Sequence, residues 1–293
     1  MNILLTGGTG YLGSHLAKAC VEQGHHVAIF KRSFSDTRRI KDLLADVDVY
    51  DLDLCDIEQA FRDRKIDAIV HTATCYGRQG ERVEAILKAN VEFPAMLLDV
   101  ASFFGVSCFI NTDTCLDKFL NAYSLSKKQF SEWGRIFSRQ GGICFLNVVL
   151  EHFYGPNEDD SKFVSFVIKK LLDHASAIEF TAGEQTRDFI YIEDVVQAYL
   201  LLLAKVERFD VNFMEFELGS GKEVTIRSLV EVIHRLTASD TILKFGVLPY
   251  REGEKMHSCA DIQSLLNLGW TPKVLLENGL SKTIAAEIVD MHR

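Results

Sequence analysis

The chain has 293 residues, of which 32 are Lys or Arg and 41 are Asp or Glu, giving a formal charge of -9. Hydrophobic residues make up 47 % and charged residues 25 %, a balance that builds a globular core of ordinary size. The acidic surplus excludes a protein that coats nucleic-acid duplexes, which needs a basic stripe to displace counterions.

In chain order, Ile3-Leu4-Leu5 reads as a buried strand. After a glycine-rich turn, Leu12, Leu16, Ala19 and Cys20 keep helical spacing until Gly24 stops the helix. Val27 to Phe30, Val47 to Tyr50, Ala68 to Val70, Cys108 to Ile110 and Phe145 to Leu150 continue the strands. Helical stretches near Ile57 to Arg64, Glu81 to Phe104 and Ala122 to Arg139 separate them. Strands apolar on both faces and separated by helices predict an α/β fold, a Rossmann-type doubly wound parallel sheet with ligands at the strands' carboxyl ends. Beyond Leu150 the texture changes at the acidic loop Tyr154 to Ser161, followed by a helix from Lys162 to about Asp173. The expected division is a dinucleotide-binding domain over 1–152, to which 186–206 returns, and a smaller α/β C-terminal substrate-binding domain over 153–293. Ser228 to Leu236 reads as an amphipathic helix of that second part.

The turn Thr6-Gly7-Gly8-Thr9-Gly10-Tyr11-Leu12-Gly13 lies between the first strand and the first helix. Gly7 permits the tight turn, Gly10 lets the backbone approach phosphates, and Gly13 permits close helix–sheet contact. The amide groups of the helix start, at Tyr11 and Leu12, add their dipoles, so the site suits the pyrophosphate of a dinucleotide. An NAD site commonly has an acidic residue at the end of the second strand. Here that strand ends in Lys31-Arg32, and the missing carboxylate with two cations favours NADP(H) over NAD(H). Asp53 and Leu54, after the third strand, are expected to meet the adenine.

Tyr123-Ser-Leu-Ser-Lys127 opens the helix after the fifth strand. Residues four apart share a helix face, so the Lys ammonium is expected near the Tyr hydroxyl and the cofactor ribose, lowering the phenol from about 10 towards neutrality. Pro94, four residues after Asn90, removes a helical partner from the Asn90 carbonyl, which is expected to hold a water feeding protons to Lys127. The seven cysteines form no Cys-x-x-Cys pair and no cluster with His, so neither a metal site nor a disulfide framework is expected, and scattered thiols suit a reducing cytoplasm. Met1-Asn2 leads straight into the first strand, and the longest apolar run, Tyr199 to Ala204, is far short of the ~20 residues that span a bilayer. A cytoplasmic protein without a membrane segment is expected.

Taken together, Thr6 to Gly13, His71-Thr-Ala73, Asn90, Tyr123/Lys127, Phe153-Tyr-Gly-Pro156, Arg187 to Asp194 and Gly269-Trp-Thr-Pro272 carry a family likeness. The chain resembles the extended short-chain dehydrogenase/reductases, the NAD-dependent epimerase/dehydratase superfamily of nucleotide-sugar enzymes. The strings Cys75-Tyr-Gly-Arg78, Leu150 to Gly155, Phe245-Gly-Val and Ser258-Cys-Ala-Asp261 look like the CDP-paratose and CDP-abequose synthases. Those enzymes reduce a 4-keto group on a CDP-linked deoxyhexose with NADPH, making O-antigen sugars of lipopolysaccharide. The resemblance implies cofactor contacts at Thr72, Ala73, Thr74 and Asn90. It gives the hydroxyl that polarises the reacting oxygen to Thr114, with Thr112 as second candidate. A nucleotide-diphosphate sugar is implied as substrate, with Arg187 and Arg251 on the pyrophosphate, Lys162 and Phe163 on the nucleotide, Glu254 near a ribose, and His152 at the sugar or phosphate. Family 4,6-dehydratases follow their Thr with an Asp-Glu pair, and Cys115-Leu116 stand there instead. A dehydratase is therefore not expected, and Lys31-Arg32 favours a reductase over an epimerase. A 4-epimerase with tightly held NAD and a non-catalytic dinucleotide sensor are the rival readings. Family relatives often pair as homodimers through the two long helices, here Glu81 to Phe104 and Ala122 to Arg139.

Overall fold

The computed structural model describes residues 1–206, 209 and 212–291. The chain begins β1 (Asn2–Thr6), α1 (Tyr11–Glu22), β2 (His26–Lys31), β3 (Val47–Asp51), α2 (Gln59–Asp63) and β4 (Ala68–His71). It continues α3 (Val83–Leu87), α4 (Phe93–Phe103), β5 (Cys108–Thr114), α5 (Ala122–Gln140) and β6 (Cys144–Leu150). Next come β7 (His152–Tyr154), α6 (Phe163–Leu172), β8 (Ala177–Glu179), β9 (Thr186–Tyr191) and α7 (Ile192–Lys205). The remainder is β10 (Phe213–Leu218), β11 (Glu223–Thr225), α8 (Ile226–Thr237), β12 (Ile242–Lys244), α9 (Gln263–Asn267) and α10 (Leu276–Met291).

Two compact units result, Met1–Leu150 with Val196–Phe216, and Glu151–Val195 with Glu217–Arg293. The first holds a seven-stranded sheet in the order β10-β6-β5-β4-β1-β2-β3. The pairs β1/β2, β1/β4, β2/β3, β4/β5 and β5/β6 are parallel. Strand order runs outward from β1 to β3 and restarts at β4 on the other side of β1. The carboxyl ends of β1 and β4 therefore flank the point where doubly wound sheets bind ligands. Ile3, Leu4, Leu5, Val27, Ile29, Ile69 and Val70 are fully buried, as strands covered on both faces require.

The second unit contains a three-stranded sheet, β11-β9-β7, and a parallel pair, β12 and β8. Since β9 pairs with β7 and β11 there, the segment that returns to the first unit is Val196–Phe216, later than the 186–206 expected. Asp194 accepts the amides of Lys273 and Val274, and its carbonyl accepts the Trp270 indole. The two sequence strings singled out around Asp194 and Trp270 thus fasten to each other. No helix among the described residues is long and apolar enough to cross a membrane.

Candidate active site

The glycine turn leaves no space for side chains. Gly7 has φ +70°, and a Cβ there would lie 2.6 Å from the Ala73 amide nitrogen. On Gly13 it would lie 2.1 Å from the Gly7 carbonyl oxygen. Gly10 is the N-cap of α1 and no side chain caps the helix, so the helix start turns its amide dipoles towards an anion. The adjoining strand ends are knitted together. The Thr72 hydroxyl donates to the Thr6 carbonyl at 2.8 Å, and the Thr6 hydroxyl shares a 2.7 Å hydrogen bond with His71 Nδ1.

At the end of β2 the structure alters the electrostatic expectation. Lys31 Nζ donates to Asp51 Oδ2 at 2.7 Å, and Arg32 Nε to Asp53 Oδ1 at 2.6 Å. The Ser33 amide donates to Asp53 Oδ2 at 2.8 Å. Hydrogen bonds from Lys31 and Arg32 hold the Asp51 and Asp53 carboxyls below their ordinary range. The two cations are thus already matched by two carboxylates from the end of β3. Asp53, expected at the adenine, is engaged with Arg32 and Ser33, whereas Leu54 is 83 % exposed and open to an apolar ring.

Helix α5 begins with a capping box: the Asn121 side chain accepts the Ser124 amide, and Ser124 Oγ accepts the Asn121 amide. That start places Tyr123 and Lys127 on successive turns of one face. Lys127 is 2 % exposed, and its ammonium has no hydrogen-bond or ion-pair partner among the described residues. Burial pushes it down to about 8, against a partial counterweight from Asp113. The Tyr123 phenol moves the other way. Burial, then Tyr76, raise it above its ordinary value, and a hydrogen bond from the Thr114 hydroxyl pulls it down. The expected lowering towards neutrality is therefore not delivered by the protein's own groups, because burial outweighs it.

The structure brings Thr114 to Tyr123 and takes Thr112 elsewhere: Thr112 Oγ1 shares a 2.7 Å hydrogen bond with Tyr199, in the core. Alternation along a strand sends residues 112 and 114 to one face, but β5 ends at Thr114, which frees that hydroxyl for α5. Asn90 is completely buried. It accepts the Cys75 amide at 2.7 Å and the Thr74 hydroxyl at 3.2 Å, and donates to the Cys75 carbonyl and to Ser126 Oγ, each at 2.9 Å. The helix absorbs Pro94 through a π-helical turn over Lys88–Glu92, where the Phe93 amide reaches the Lys88 carbonyl. With Asn90 sealed from solvent, the water expected at its carbonyl to feed protons to Lys127 is set aside. Asn90 instead ties the 74–75 loop to α5.

Sequence reasoning missed a buried polar network beside this trio. Lys128 Nζ donates to the Thr114 carbonyl at 2.7 Å and to Asp113 Oδ2 at 3.1 Å. Asn147 Nδ2 donates to Asp113 Oδ2 at 3.0 Å and to Glu215 Oε2 at 2.9 Å, and accepts from Asn111 at 2.7 Å. The available signal was two asparagines inside apolar strands, Asn111 and Asn147, which the sheet register sets side by side.

In the second unit, Arg187 pairs with Glu254 and donates to the Thr186 carbonyl at 2.7 Å. Arg251 is exposed, and its side chain has no partner among the described residues. Phe163 opens α6 half-exposed, edge-on to Phe180 at 6.5 Å, with Lys162 before it as the N-cap. His152 Nδ1 lies 3.1 Å from Glu151 Oε2, and Glu151 Oε1 accepts from Ser258 at 2.6 Å. Sequence reasoning missed Glu151.

A glycine cradle closed to Cβ atoms at the switch point of a 3-2-1-4-5-6 sheet, and a buried lysine with no partner among the described residues one turn from a tyrosine, fit a dinucleotide. They define an NAD(P)-dependent enzyme of the oxidoreductase/epimerase type. Residues 3–213 match the NAD dependent epimerase/dehydratase family, and the chain belongs to it. It is 32 % identical over 291 residues to a CDP-abequose synthase of Salmonella muenchen, covering 97 % of each chain. To a CDP-abequose synthase of Salmonella typhimurium it is 30 % identical over 292 residues, covering 96 % of this chain and 97 % of that one. The fold matches that of UDP-glucose 4-epimerase with UDP-glucose from Thermotoga maritima, with a TM-score of 0.86 at 24 % identity, over 99 % of this chain and 100 % of that one.

Proposed function

We propose that the chain is a cytoplasmic NADPH-dependent reductase of a 4-keto group on a nucleotide-linked deoxyhexose, with CDP as the nucleotide and cell-surface polysaccharide as the destination of the sugar. One observation carries the choice of reaction: Thr114 and Tyr123 stand together as a hydroxyl pair, while the adjacent carboxylate, Asp113, is tied to Lys128 and Asn147. The arrangement offers a proton donor at one oxygen and no acid–base pair for eliminating water. Likeness to the CDP-abequose synthases over nearly both full lengths supports CDP and the deoxy sugar.

The residues have separate tasks in this reading. Amides at Gly7, Gly10, Tyr11, Leu12 and Gly13 receive the dinucleotide pyrophosphate. Thr72, Ala73 and Thr74 wall the cofactor, Asn90 holds that wall in place, and Lys127 grips the ribose. Asp53 and Leu54 border the adenine. When bound, the reduced dinucleotide supplies the hydride. Thr114 polarises the substrate carbonyl, Tyr123 gives its oxygen a proton, and the Lys127 cation favours the phenolate left behind. Lys31 and Arg32 favour NADP(H), because a single 2′-phosphate can engage both cations at once in exchange for Asp51 and Asp53. Arg187 and Arg251 take the sugar diphosphate, Lys162 and Phe163 the nucleoside, Glu254 a ribose while holding Arg187, and His152 the sugar.

A homodimer is proposed through α4 and α5, whose Met96, Phe103, Trp133 and Ile136 are exposed apolar side chains. Sedimentation of the protein and of a Trp133→Glu variant tests it, a monomeric parent being the overturning result.

The test of activity is NADPH oxidation against CDP-, dTDP-, UDP- and GDP-linked 4-keto sugars. Stoichiometric consumption with the CDP sugar is expected, and no consumption with any of the four overturns the reading. The pairing of Lys31 and Arg32 with Asp51 and Asp53 favours one second reading, a 4-epimerase that retains NAD. Such a protein is purified with NAD bound and consumes none.

A further inference from the structure

We propose that Lys128 is a positioning residue of the reaction, holding Thr114 against Tyr123 through the Thr114 carbonyl and neutralising the buried Asp113 carboxylate beside Lys127. The inference rests on the proposed roles of Thr114, Tyr123 and Lys127, and adds to them a residue outside the trio.

The geometry fixes Thr114 at both of its backbone polar groups. Its amide donates to Asp113 Oδ1 at 2.7 Å, and its carbonyl accepts from Lys128 at 2.7 Å. The same ammonium reaches Asp113 Oδ2 at 3.1 Å, so amide, carboxylate and ammonium close a ring around one residue. Thr114 is the last residue of β5 and needs this support, because beyond it the strand gives way to a loop. Lys128 in turn is held by α5, the helix that carries Tyr123, so it links strand end and helix directly.

Charge gives the link a second consequence. The Asp113 side chain has no solvent exposure, and a carboxylate removed from water needs a close cation. Asp113 raises the affinity of Lys127 and Tyr123 for protons, whereas Lys128 lowers that of Lys127. The charged and titratable groups bearing on Lys127 are Asp113 from β5, Lys128 from α5 itself, and His71 from β4. Burial and the Lys127 charge keep His71 neutral, well below its ordinary value. Glu215 of β10 reaches Asp113 only through Asn147. Taking the charge from Lys128 therefore acts twice in one direction: it ends a repulsion on Lys127 and leaves the Asp113 attraction uncompensated.

The test follows the titration of Lys127 by carbon NMR in protein labelled at lysine Cε, its resonance identified by loss in Lys127→Arg. Turnover of the CDP-linked 4-keto sugar and binding of NADPH are measured in parallel. Lys128→Met is expected to raise the Lys127 midpoint by roughly one unit. It is also expected to cut turnover at least about tenfold, with NADPH affinity held within about threefold. Lys128→Arg keeps both near the parent, and Lys128→Met with Asp113→Asn brings the midpoint back down. An unmoved midpoint and unchanged turnover in Lys128→Met overturn the proposal. If Lys128→Met does not fold, Lys128→Gln, which also removes the charge, is read in its place with the same outcomes. The titration needs no sugar, so a parent inactive on every sugar overturns the proposed reaction while the midpoint still decides the role of Lys128.

Discussion

Arg32 and Asp53 are joined across the ends of β2 and β3, guanidinium Nε to carboxylate Oδ1 at 2.6 Å, with the Ser33 amide on the other carboxylate oxygen. This pair lies where the end of β2 is expected to meet the cofactor's adenosine ribose, so it must be exchanged if a 2′-phosphate is to use Arg32. Removing the competing charge by Asp53→Asn is expected to raise the preference for NADPH over NADH about tenfold, equivalent to ~1.4 kcal/mol. Arg32→Ala is expected to lower the preference by a similar factor. Fluorescence titration of both reduced dinucleotides measures the ratio, which cancels any loss of adenine contact common to the two. A ratio unmoved by either substitution places the selectivity elsewhere.

Thr112 and Thr114 provide a paired comparison. Thr114→Val removes the hydroxyl against Tyr123 and is expected to cost about a hundredfold in turnover. Tyr123→Phe is expected to cost ~10²–10⁴. Thr112→Val instead strands the buried Tyr199 hydroxyl, so about 1–3 kcal/mol of stability is lost while turnover per folded molecule is kept. Steady-state rates and denaturant melts of the three variants separate the roles. Loss of turnover in Thr112→Val with retention in Thr114→Val reverses the assignment.

Much of this was legible in local sequence patterns. Continuous apolar strands separated by helices identify a doubly wound sheet, and Gly7, Gly10 and Gly13 with Tyr123 and Lys127 mark the site through fixed spacing. What stayed hidden depends on contacts between distant residues. That Asp51 and Asp53 would neutralise Lys31 and Arg32 follows only from the register of β2 with β3, which pairs Lys31 with Asp51. The upward push on Tyr123 follows from burial, which a four-residue spacing does not encode. Lys128 reads as a surface neighbour of Lys127 until β5 and α5 are packed together.

The glycine turn gives a steric prediction. A methyl group on Gly13 would be 2.1 Å from the Gly7 carbonyl oxygen and 2.9 Å from Gly8 Cα, all backbone, so no side chain can swing aside. The turn must open to admit it. Gly13→Ala is expected to destabilise the protein by ~1–3 kcal/mol and to abolish measurable binding of either dinucleotide. By contrast, a methyl on Gly24 meets nothing within 4 Å, though its φ of +77° adds some strain. Gly24→Ala should therefore lose stability with dinucleotide affinity intact. Calorimetry and titration read both quantities, and tight dinucleotide binding by Gly13→Ala refutes the cradle.

Lys127 is the place where site chemistry opposes stability. Its folded pKa of about 8 lies below the ordinary 10.5, so folding disfavours the charged form. Below pH 8 the lysine is protonated in both states and the whole cost of burying its charge is present. Between about 8 and 10.5 the unfolded chain holds a proton that the folded chain has released, so stability rises with pH. Above 10.5 the cost is gone. The gap corresponds to about 3 kcal/mol. Lys127→Met keeps the length of the side chain and removes the charge. It is therefore expected to stabilise the dinucleotide-free protein by up to about 3 kcal/mol at pH 7, with the advantage shrinking through pH 8 to 10.5, while turnover is lost. Urea unfolding of parent and variant at several pH values gives the difference directly, and the comparison cancels the titration of groups that do not feel the Lys127 charge. A variant no more stable than the parent at pH 7 means that Lys127 is not held as a costly buried cation.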